Sequence, residues 1–246
     1  MLSPLSPATI ERHNRYQRDY YESRQKRTML RTDSFYVRDK ISWMVHYAAL
    51  DRGHEVLEVG AGLGKFSIPL LRQGYGLTCL DLSPVMLADL RGAAPAGARL
   101  DTIAADILDV ADVTDRRFDR VIGFFVLHHL VDLDRTFQTV AAVLKPGGIA
   151  TFLEPAASNP LYYLQITFTP GMTWRAERGL LMMRAGKVQP AMPQAGLVDL
   201  ESTSFGLLPP FAANTRIGQA IEERIGHSLA ARPAAAFRLF RGRRQG

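Results

Sequence analysis

The chain has 246 residues, 47% of them hydrophobic, and a formal net charge of +6. This length and apolar content suffice for one large α/β domain with a buried core. The single cysteine, Cys79, excludes an internal disulfide and a cysteine cluster for zinc, so we expect no bound metal and a reducing, cytoplasmic environment. No segment has the ~18 uninterrupted apolar residues of a membrane span, and the first residues lack a signal-peptide pattern.

Positive charge is concentrated near the two ends of the chain. Basic residues are frequent between Arg12 and Arg31 and again between Arg238 and Arg244. Such ends are compatible with an anionic partner, although solvated helix faces give the same pattern. The basic and aromatic stretch 237–244 could rest on an anionic membrane or, as the alternative, could belong to the last strand of a sheet.

Residues 7–50 show a helical pattern in which aromatic and charged residues are interleaved, so we predict an N-terminal helical cap over 1–50. Short apolar runs then alternate with helical stretches. This alternation predicts right-handed βαβ units and a parallel sheet covered on both faces. The apolar runs are 55–59, 77–80, 118–122 and 148–153, and the helical stretches are 65–73, 83–91 and 133–144.

The second half of the chain is less regular. Prolines and aromatic residues after Glu154 predict a substrate-side insertion over 155–195 rather than a piece of the sheet. Two more strands are predicted at 198–205 and 234–240, with a helix at 216–229 between them. The main domain is therefore expected to cover 51–246.

A glycine-rich turn, Gly60-Ala-Gly-Leu-Gly64, follows the first predicted strand and opens a helix. Without side chains, the backbone N–H groups of such a turn can come close to a ligand at a helix N-terminus. Asp81 ends the next strand, 17 residues after Gly64, where its carboxylate can accept hydrogen bonds from both hydroxyls of a ribose. Asp106 follows the third strand, and Ile107 beside it can cover a flat purine ring. These residues together predict one adenosine-shaped crevice.

Five motifs within residues 50–155 resemble, in order, those of the class I S-adenosylmethionine-dependent methyltransferases, especially the small-molecule enzymes of ubiquinone and menaquinone biosynthesis. The resemblance implies an α/β fold with a Rossmann-like, doubly wound, seven-stranded sheet that is mostly parallel and has an antiparallel last strand. An N-terminal helical lid and an insertion after the fifth strand complete the expected fold. The motifs are residues 56–66, 80–86, 105–106, 118–130 and 144–148.

The resemblance also implies S-adenosylmethionine as the cofactor. Glu58 and the glycine turn would hold its methionine part, Asp81 its ribose and Asp106 its adenine amino group. The backbone carbonyl of Phe124 would accept a hydrogen bond from the amino group of the methionine part. The full set of expected cofactor-binding residues is Glu58, Gly60, Ala61, Gly62, Gly64, Asp81, Leu82, Met86, Asp106, Ile107 and Phe124.

Three residues are candidate catalytic groups. Methyl transfer from a sulfonium needs donor and acceptor aligned in a dry pocket, and an oxygen nucleophile also needs a base. His128 and His129 follow the fourth strand on the face where the acceptor should lie, and Glu154 ends the fifth strand. Packing and helix capping are the alternative role of the two histidines.

Aromatic residues indicate where the acceptor binds. Tyr16, Tyr20 and Tyr21 lie on the N-terminal helix, which in this family often folds over the pocket; packing in the core is their alternative role. Tyr162 and Trp174 lie in the insertion, which commonly builds the acceptor site. An aromatic lining suits a small-molecule or lipid-like acceptor. Both a monomer and a homodimer remain open.

No specific nucleic-acid partner is expected. Family members that methylate amino groups of DNA or protein carry Asn/Asp-Pro-Pro-Tyr after the fourth strand, where this chain has Gly123-Phe-Phe-Val126.

Two other functions compete with methyl transfer. A nicotinamide or flavin oxidoreductase also uses a glycine turn followed by an acid, but the third glycine of that fingerprint would fall at Lys65. A catalytically inactive cofactor-binding protein of the same fold would keep every cofactor position.

Overall fold

The structure is a computed structural model that describes residues 6–23, 29–157, 159, 163, 166–167, 173–174, 179, 183 and 185–246. Its strands are β1 (Val56–Val59), β2 (Leu77–Asp81), β3 (Leu100–Ala104), β4 (Phe118–Phe124), β5 (Leu144–Pro155), β6 (Leu197–Phe205) and β7 (Phe237–Arg244). They form one seven-stranded sheet in the order β3-β2-β1-β4-β5-β7-β6. The pairs among β1–β5 are parallel, and β7 pairs antiparallel with β5 and β6. The predicted sheet with an antiparallel last strand is confirmed.

Helices pack on both faces of this sheet. They are α1 (Pro7–Ser23), α2 (Phe35–Tyr47), α3 (Ser67–Arg72), α4 (Pro84–Ala93), α5 (Val110–Val113), α6 (Leu133–Val143), α7 (Ala185–Gln194), α8 (Pro210–Ala213) and α9 (Arg216–Ile221). Single 3₁₀ turns cover Ile107–Asp109 and Leu127–His129. The helix predicted at 216–229 is shorter in the structure: α9 ends at Ile221, and a π turn over Glu222–Gly226 follows it.

Strand β5 begins earlier than the predicted strand at 148–153. Helix α6 ends at Val143, and the next residue, Leu144, already pairs with Phe118 of β4. The register then shifts before the following pair, Arg120 with Ile149. The extra residues bulge out of the ladder at Gly147, whose φ of 75° is left-handed and suits glycine.

The basic residues near the end of the chain belong to β7, which extends beyond the predicted strand 234–240. Arg241 lies 2.6 Å from Glu201, and Arg243 pairs with Asp199; both acids are in β6. The stretch 237–244 is therefore the last strand, the second of the two roles that its sequence allows. No helix of the described ranges is long and apolar enough to cross a membrane.

Two hydrophobic clusters fill the space between the sheet and its helices. Alternation along each strand directs Val56 into one cluster and its neighbour Leu57 into the other. The first cluster takes Ile41 and Met44 from α2, so this helix packs directly on the sheet. The second takes Phe240 from β7. Both faces are thus buried, and the ends of the strands remain for a site.

We predict that Phe240→Ala lowers the free energy of unfolding by about 3–5 kcal/mol, because it removes a ring that is fully buried under α6 and α7 and leaves a cavity. Urea denaturation followed by circular dichroism measures this change. Phe211→Ala is the matched control, because the Phe211 side chain is 78% exposed and its loss should leave the unfolding free energy nearly unchanged. Equal effects of the two substitutions would contradict the position of β7.

Candidate functional site

A cavity of about 270 Å³ lies at the carboxyl ends of β1, β2, β3 and β4. Parallel strands present their carboxyl ends at one edge of the sheet, and ligands of open α/β sheets bind there, where the strand order reverses. In this sheet the order reverses between β1 and β4. The glycine turn after β1 and the segments after β2, β3 and β4 line the cavity from below, and α1 lies across it.

The glycine turn comes close to the segment after β4. Gly60 has a φ of 71°, and a Cβ atom built on it would stand 2.5 Å from Cγ2 of Val126. Gly62 has a φ of 52°, and Ala61 and Gly62 both line the cavity. Gly64 has a different role: a Cβ there would meet Leu90 of α4 at 2.9 Å, so this glycine allows α3 and α4 to pack.

Asp81 at the end of β2 joins two backbone segments. Its Oδ2 atom accepts the N–H of Gly62 at 2.8 Å, and its Oδ1 atom accepts the N–H of Ser83 at 2.9 Å. Burial raises the pKa of this carboxyl group, and the two N–H donors act against that rise. A carboxylate has about four acceptor positions, so roughly two remain for hydroxyl groups of a ligand in the cavity. Leu82 and Met86 line the wall beside it.

Asp106 after β3 closes the same side of the cavity. Its Oδ1 atom accepts the N–H of Leu108 at 3.0 Å and caps the 3₁₀ turn, while Oδ2 accepts a hydrogen bond from the amide of Asn14 on α1. Ile107 lines the cavity and is buried. The structure therefore brings the acids at positions 81 and 106 and the glycine turn to one cavity.

Glu58 lies behind the glycine turn, away from the described wall of the cavity. It is 2% exposed, and its Oε2 atom is 3.7 Å from the thiol sulfur of Cys79. Burial is the largest cause that raises the pKa of Glu58, to about 7. The resemblance implied that this carboxyl group contacts the ligand directly. The structure differs, because β1 directs the side chain into the core beside β2.

The chain turns sharply where β4 ends. Phe124 lines the cavity and its ring stacks on that of Phe66 with 4.2 Å between ring centres. Phe125 has a φ of 57°, which is strained for a bulky residue, and its N–H bonds to the carbonyl of Leu153 at 2.7 Å. This turn directs the following histidines across the top of the sheet.

His128 and Glu154 form a buried pair. The Nδ1 atom of His128 lies 2.6 Å from Oε2 of Glu154, and Oε1 accepts the N–H groups of Val126 and Leu127 at 2.8 and 2.7 Å. A carboxylate at Nδ1 holds the proton there and leaves Nε2 to act as an acceptor. His128 lines the cavity, whereas Glu154 is fully buried beneath it. Glu154 was predicted as a catalytic group, and its position instead orients His128.

His129 connects the sheet to the N-terminal helix. Its Nε2 atom is 2.8 Å from the hydroxyl of Tyr21, and its backbone carbonyl accepts a hydrogen bond from Nε2 of His13 at 2.7 Å. The same helix is also attached on the other side of the cavity, where the hydroxyl of Ser83 donates a hydrogen bond to Glu22 at 2.6 Å. Helix α1 is therefore hydrogen-bonded to segments on both sides of the cavity.

The predicted acceptor residues are placed as follows. Tyr16 and Tyr20 stack on each other 6.0 Å apart and stand outside the described cavity wall, so packing explains them better than acceptor binding. Of the three tyrosines expected on the helix over the pocket, Tyr21 lies in the cavity wall. Trp174 is 53% exposed and stacks on Tyr163, away from the described wall, and Tyr162 lies outside the described residues.

Several lining residues were not predicted as site residues, among them Asn14, Gln17, Tyr36 and Lys65. Asn14, Gln17 and Tyr21 recur at spacings of three and four residues, which put them on one stripe of α1. Polar residues on such a stripe could have indicated a ligand site, because burying a polar group without a hydrogen-bond partner is unfavourable. The terminal oxygen of Gln17 is buried and has no hydrogen-bond partner in the part of the chain that the structure describes.

Comparison with known proteins agrees with this geometry. Residues 56–148 match the family model described as "Methyltransferase domain". An ubiquinone biosynthesis O-methyltransferase of Methylobacterium nodulans is 35% identical over 95 residues, which are 38% of this chain and 38% of that protein. The chain spans about half or less of the length of the first curated relatives that it matches.

Two solved structures have the same fold. A putative sarcosine dimethylglycine methyltransferase from Galdieria sulphuraria is 18% identical, with a TM-score of 0.61, and the alignment covers 95% of this chain and 98% of that one. The N-methyltransferase NodS from Bradyrhizobium japonicum in complex with S-adenosylhomocysteine is 17% identical, with a TM-score of 0.60, covering 97% and 99%. The chain thus has the α/β fold of these solved structures, and its residues 56–148 are similar to a methyltransferase domain.

The buried Glu58 predicts a pH dependence of stability. Its pKa of about 7 in the folded protein lies above the usual value of 4.5. Below pH 4.5 the group is protonated in both states; between pH 4.5 and 7 the unfolded chain loses the proton that the folded protein keeps, so stability falls as the pH rises. We expect a loss of about 3 kcal/mol relative to Glu58→Gln, complete above pH 7.

Urea unfolding of wild type and Glu58→Gln at several pH values between 4.5 and 8 measures this difference. Groups common to both proteins cancel in the comparison. A difference in unfolding free energy that stays constant with pH would show that Glu58 titrates normally in the folded protein.

Proposed function

We propose that this protein transfers the methyl group of S-adenosylmethionine to a small-molecule or lipid-like acceptor by in-line displacement. One observation carries this proposal: the glycine turn at 60–64 and the carboxylate of Asp81 line the same cavity and are joined by a hydrogen bond of 2.8 Å. Both groups therefore face the space that one adenosyl sulfonium would occupy.

The residues present fit this cofactor. Asp81 offers acceptor positions for the ribose hydroxyls, and Asp106 with the buried Ile107 offers a polar edge and an apolar face for a purine. Gly62 leaves the turn open on its cavity side, since a Cβ there would meet nothing within 4 Å. The methionine part would then lie toward Phe124 and Phe66.

S-adenosylmethionine supplies an electrophilic methyl group on a positively charged sulfur. The chain aligns the acceptor with that methyl group and excludes water, which is most of what such a displacement requires. For an acceptor with a hydroxyl group, His128 is the proposed base: its Nε2 atom can take the proton, and Glu154 at Nδ1 stabilises the resulting imidazolium. This role of Glu154 is positioning, because its carboxylate does not reach the described cavity wall.

Helix α1 is the proposed lid. Its contacts to Asp106, Ser83 and His129 cross the cavity, so ligand entry requires these hydrogen bonds to open. Closure would then exclude water from the reacting groups. We place the reaction in the cytoplasm, because the single cysteine, Cys79, is buried and forms no disulfide.

We predict that Asp81→Ala weakens the binding of S-adenosylhomocysteine at least about 100-fold, because two charge-assisted hydrogen bonds to the ribose are lost. Isothermal titration calorimetry with purified protein measures this change. Asp112→Ala removes a carboxylate from an exposed position on α5 and is the matched control, with unchanged affinity expected. Tight binding of NADH without a response to the thioether would overturn the proposed function in favour of an oxidoreductase.

We predict that His128→Ala lowers the methyl-transfer rate about 100- to 10,000-fold while the affinity for S-adenosylhomocysteine is unchanged, as expected for loss of a general base. Glu154→Gln should give a smaller loss of rate by the same route. Transfer of a labelled methyl group to a panel of phenols, carboxylic acids and amines provides the rates.

The control for this pair is His46→Ala, because His46 lies in the exposed last turn of α2. His129→Ala separates the two adjacent histidines. If His129→Ala abolishes transfer and His128→Ala leaves it intact, the base is His129 and the pair with Glu154 is structural.

A further inference from the structure

One stripe of helix α1 lies over the side of the cavity where the proposed function places the adenosine. Asn14 donates a hydrogen bond to Asp106, and Glu22 accepts one from Ser83. Asn14 and Glu22 are eight residues apart, and residues four apart lie on one face of a helix, so Arg18 between them shares this side. Arg18 also lines the cavity. This stripe therefore covers the cofactor side.

The neighbouring stripe of α1 lies over the histidines that follow β4. His13 donates a hydrogen bond to the backbone carbonyl of His129 at 2.7 Å, and the hydroxyl of Tyr21 is 2.8 Å from Nε2 of His129. Gln17 lies four residues after His13 and four before Tyr21, so it shares their stripe. The rings of His129 and His128 are 3.9 Å apart between centres. Gln17 therefore lies over the end of the cavity where the proposed base and the acceptor meet.

The amide group of Gln17 is buried without a full set of hydrogen bonds. The side chain lines the cavity and the residue is 5% exposed. Its Oε1 atom has no hydrogen-bond partner in the ranges that the structure describes, and its Nε2 atom lies 3.4 Å from Nε2 of His13. A buried amide oxygen without a partner is unfavourable, and native proteins contain few of them. A ligand that donates an O–H or N–H group would supply the missing partner.

The surrounding wall indicates the kind of ligand that fits this oxygen. Under the proposed function, Nε2 of His128 takes the proton of the group that is methylated, so it acts as a hydrogen-bond acceptor, and Oε1 of Gln17 is an acceptor as well. Two acceptors require two donor groups on the ligand. Aromatic rings line the same cavity and suit a flat ring between these groups: Tyr21, Tyr36, Phe66, Phe124 and Phe125.

From this geometry we propose that Gln17 selects the acceptor: its Oε1 atom accepts a hydrogen bond from an O–H or N–H group of an aromatic acceptor, a second donor besides the group that is methylated. This inference rests on the proposed function and narrows its substrate class. An analogue that lacks the second donor leaves the amide oxygen buried without a partner, so the site should reject it.

Phenols that carry isosteric second groups test this inference. A hydroxymethyl group donates a hydrogen bond, a methoxy group can only accept one, and an ethyl group does neither. We expect the complex of wild type with S-adenosylhomocysteine to bind a hydroxymethylphenol about 10- to 100-fold more tightly than the methoxyphenol and ethylphenol with the same ring position. Isothermal titration calorimetry measures this preference. The 2-, 3- and 4-substituted sets cover three separations of the two groups, and the preference is expected in at least one set.

Substitutions at position 17 assign the preference to the amide oxygen. Gln17→Met keeps the length of the side chain without its polar atoms, so the three phenols of a set should bind with similar affinities. Gln17→Glu keeps an acceptor oxygen and lacks the N–H groups, so the preference should remain. Gln138→Met makes the same replacement at an exposed position of α6 and is the matched control, with the wild-type preference expected. All these proteins should bind S-adenosylhomocysteine with equal affinity.

The ratio of affinities within one protein separates recognition from packing. Ligand-free Gln17→Met should melt no lower than wild type, because the substitution removes an oxygen without a partner. A lower melting temperature with equally weakened binding of all three phenols would show a packing role and overturn the inference.

Four other results would also overturn it. They are equal binding of the three phenols of every set by wild type, binding of none of them, loss of the preference in Gln17→Glu, and weaker binding of S-adenosylhomocysteine to Gln17→Met with an unchanged preference. Failure of wild type to bind S-adenosylhomocysteine overturns the proposed function instead.

Discussion

Backbone N–H groups at the carboxyl ends of parallel strands need acceptors, and in this protein side-chain carboxylates provide them. Asp81 takes the N–H groups of Gly62 and Ser83, and Glu154 takes those of Val126 and Leu127. Each carboxylate thereby fixes a turn that would otherwise expose unpaired donors. The cavity keeps its shape because these acceptors belong to strands of the sheet. The same atoms that satisfy the fold also set the positions of the groups that we propose to bind ligand.

Much of the parallel half of the sheet could be predicted from the sequence, because its strands are short apolar runs separated by helical periods and glycine turns. The carboxylate at position 81 was placed at the edge of the sheet for the same reason: it ends such a run. The residues on α1 were harder to assign. Tyr16, Tyr20 and Tyr21 were all expected near the pocket because they are aromatic, but helical geometry turns only Tyr21 of the three toward the cavity, together with Asn14 and Gln17. Which stripe of a helix faces a site depends on docking, which local sequence does not encode.

The roles of Glu58 and Glu154 illustrate a second limit. Both acids lie near the end of a strand. Sequence position alone cannot distinguish a side chain that reaches a ligand from one that supports a neighbouring residue. Glu58 points into the core beside Cys79, and Glu154 lies under His128. Pairing of Lys65 with aromatic rings was equally hidden, because Tyr36 and Phe66 lie 30 residues apart along the chain. Long-range packing, rather than any motif, creates that environment.

Strand β7 lies between β5 and β6 although it follows both of them in the chain. During synthesis, β6 therefore has no sheet neighbour to join until the ribosome has produced β7. Until then the edge of β5 presents open backbone donors and acceptors, which favours pairing with other chains. Completion of the sheet is thus a late event in biogenesis, and the arginines of β7, matched to acids on β6, help select the correct neighbour at that moment.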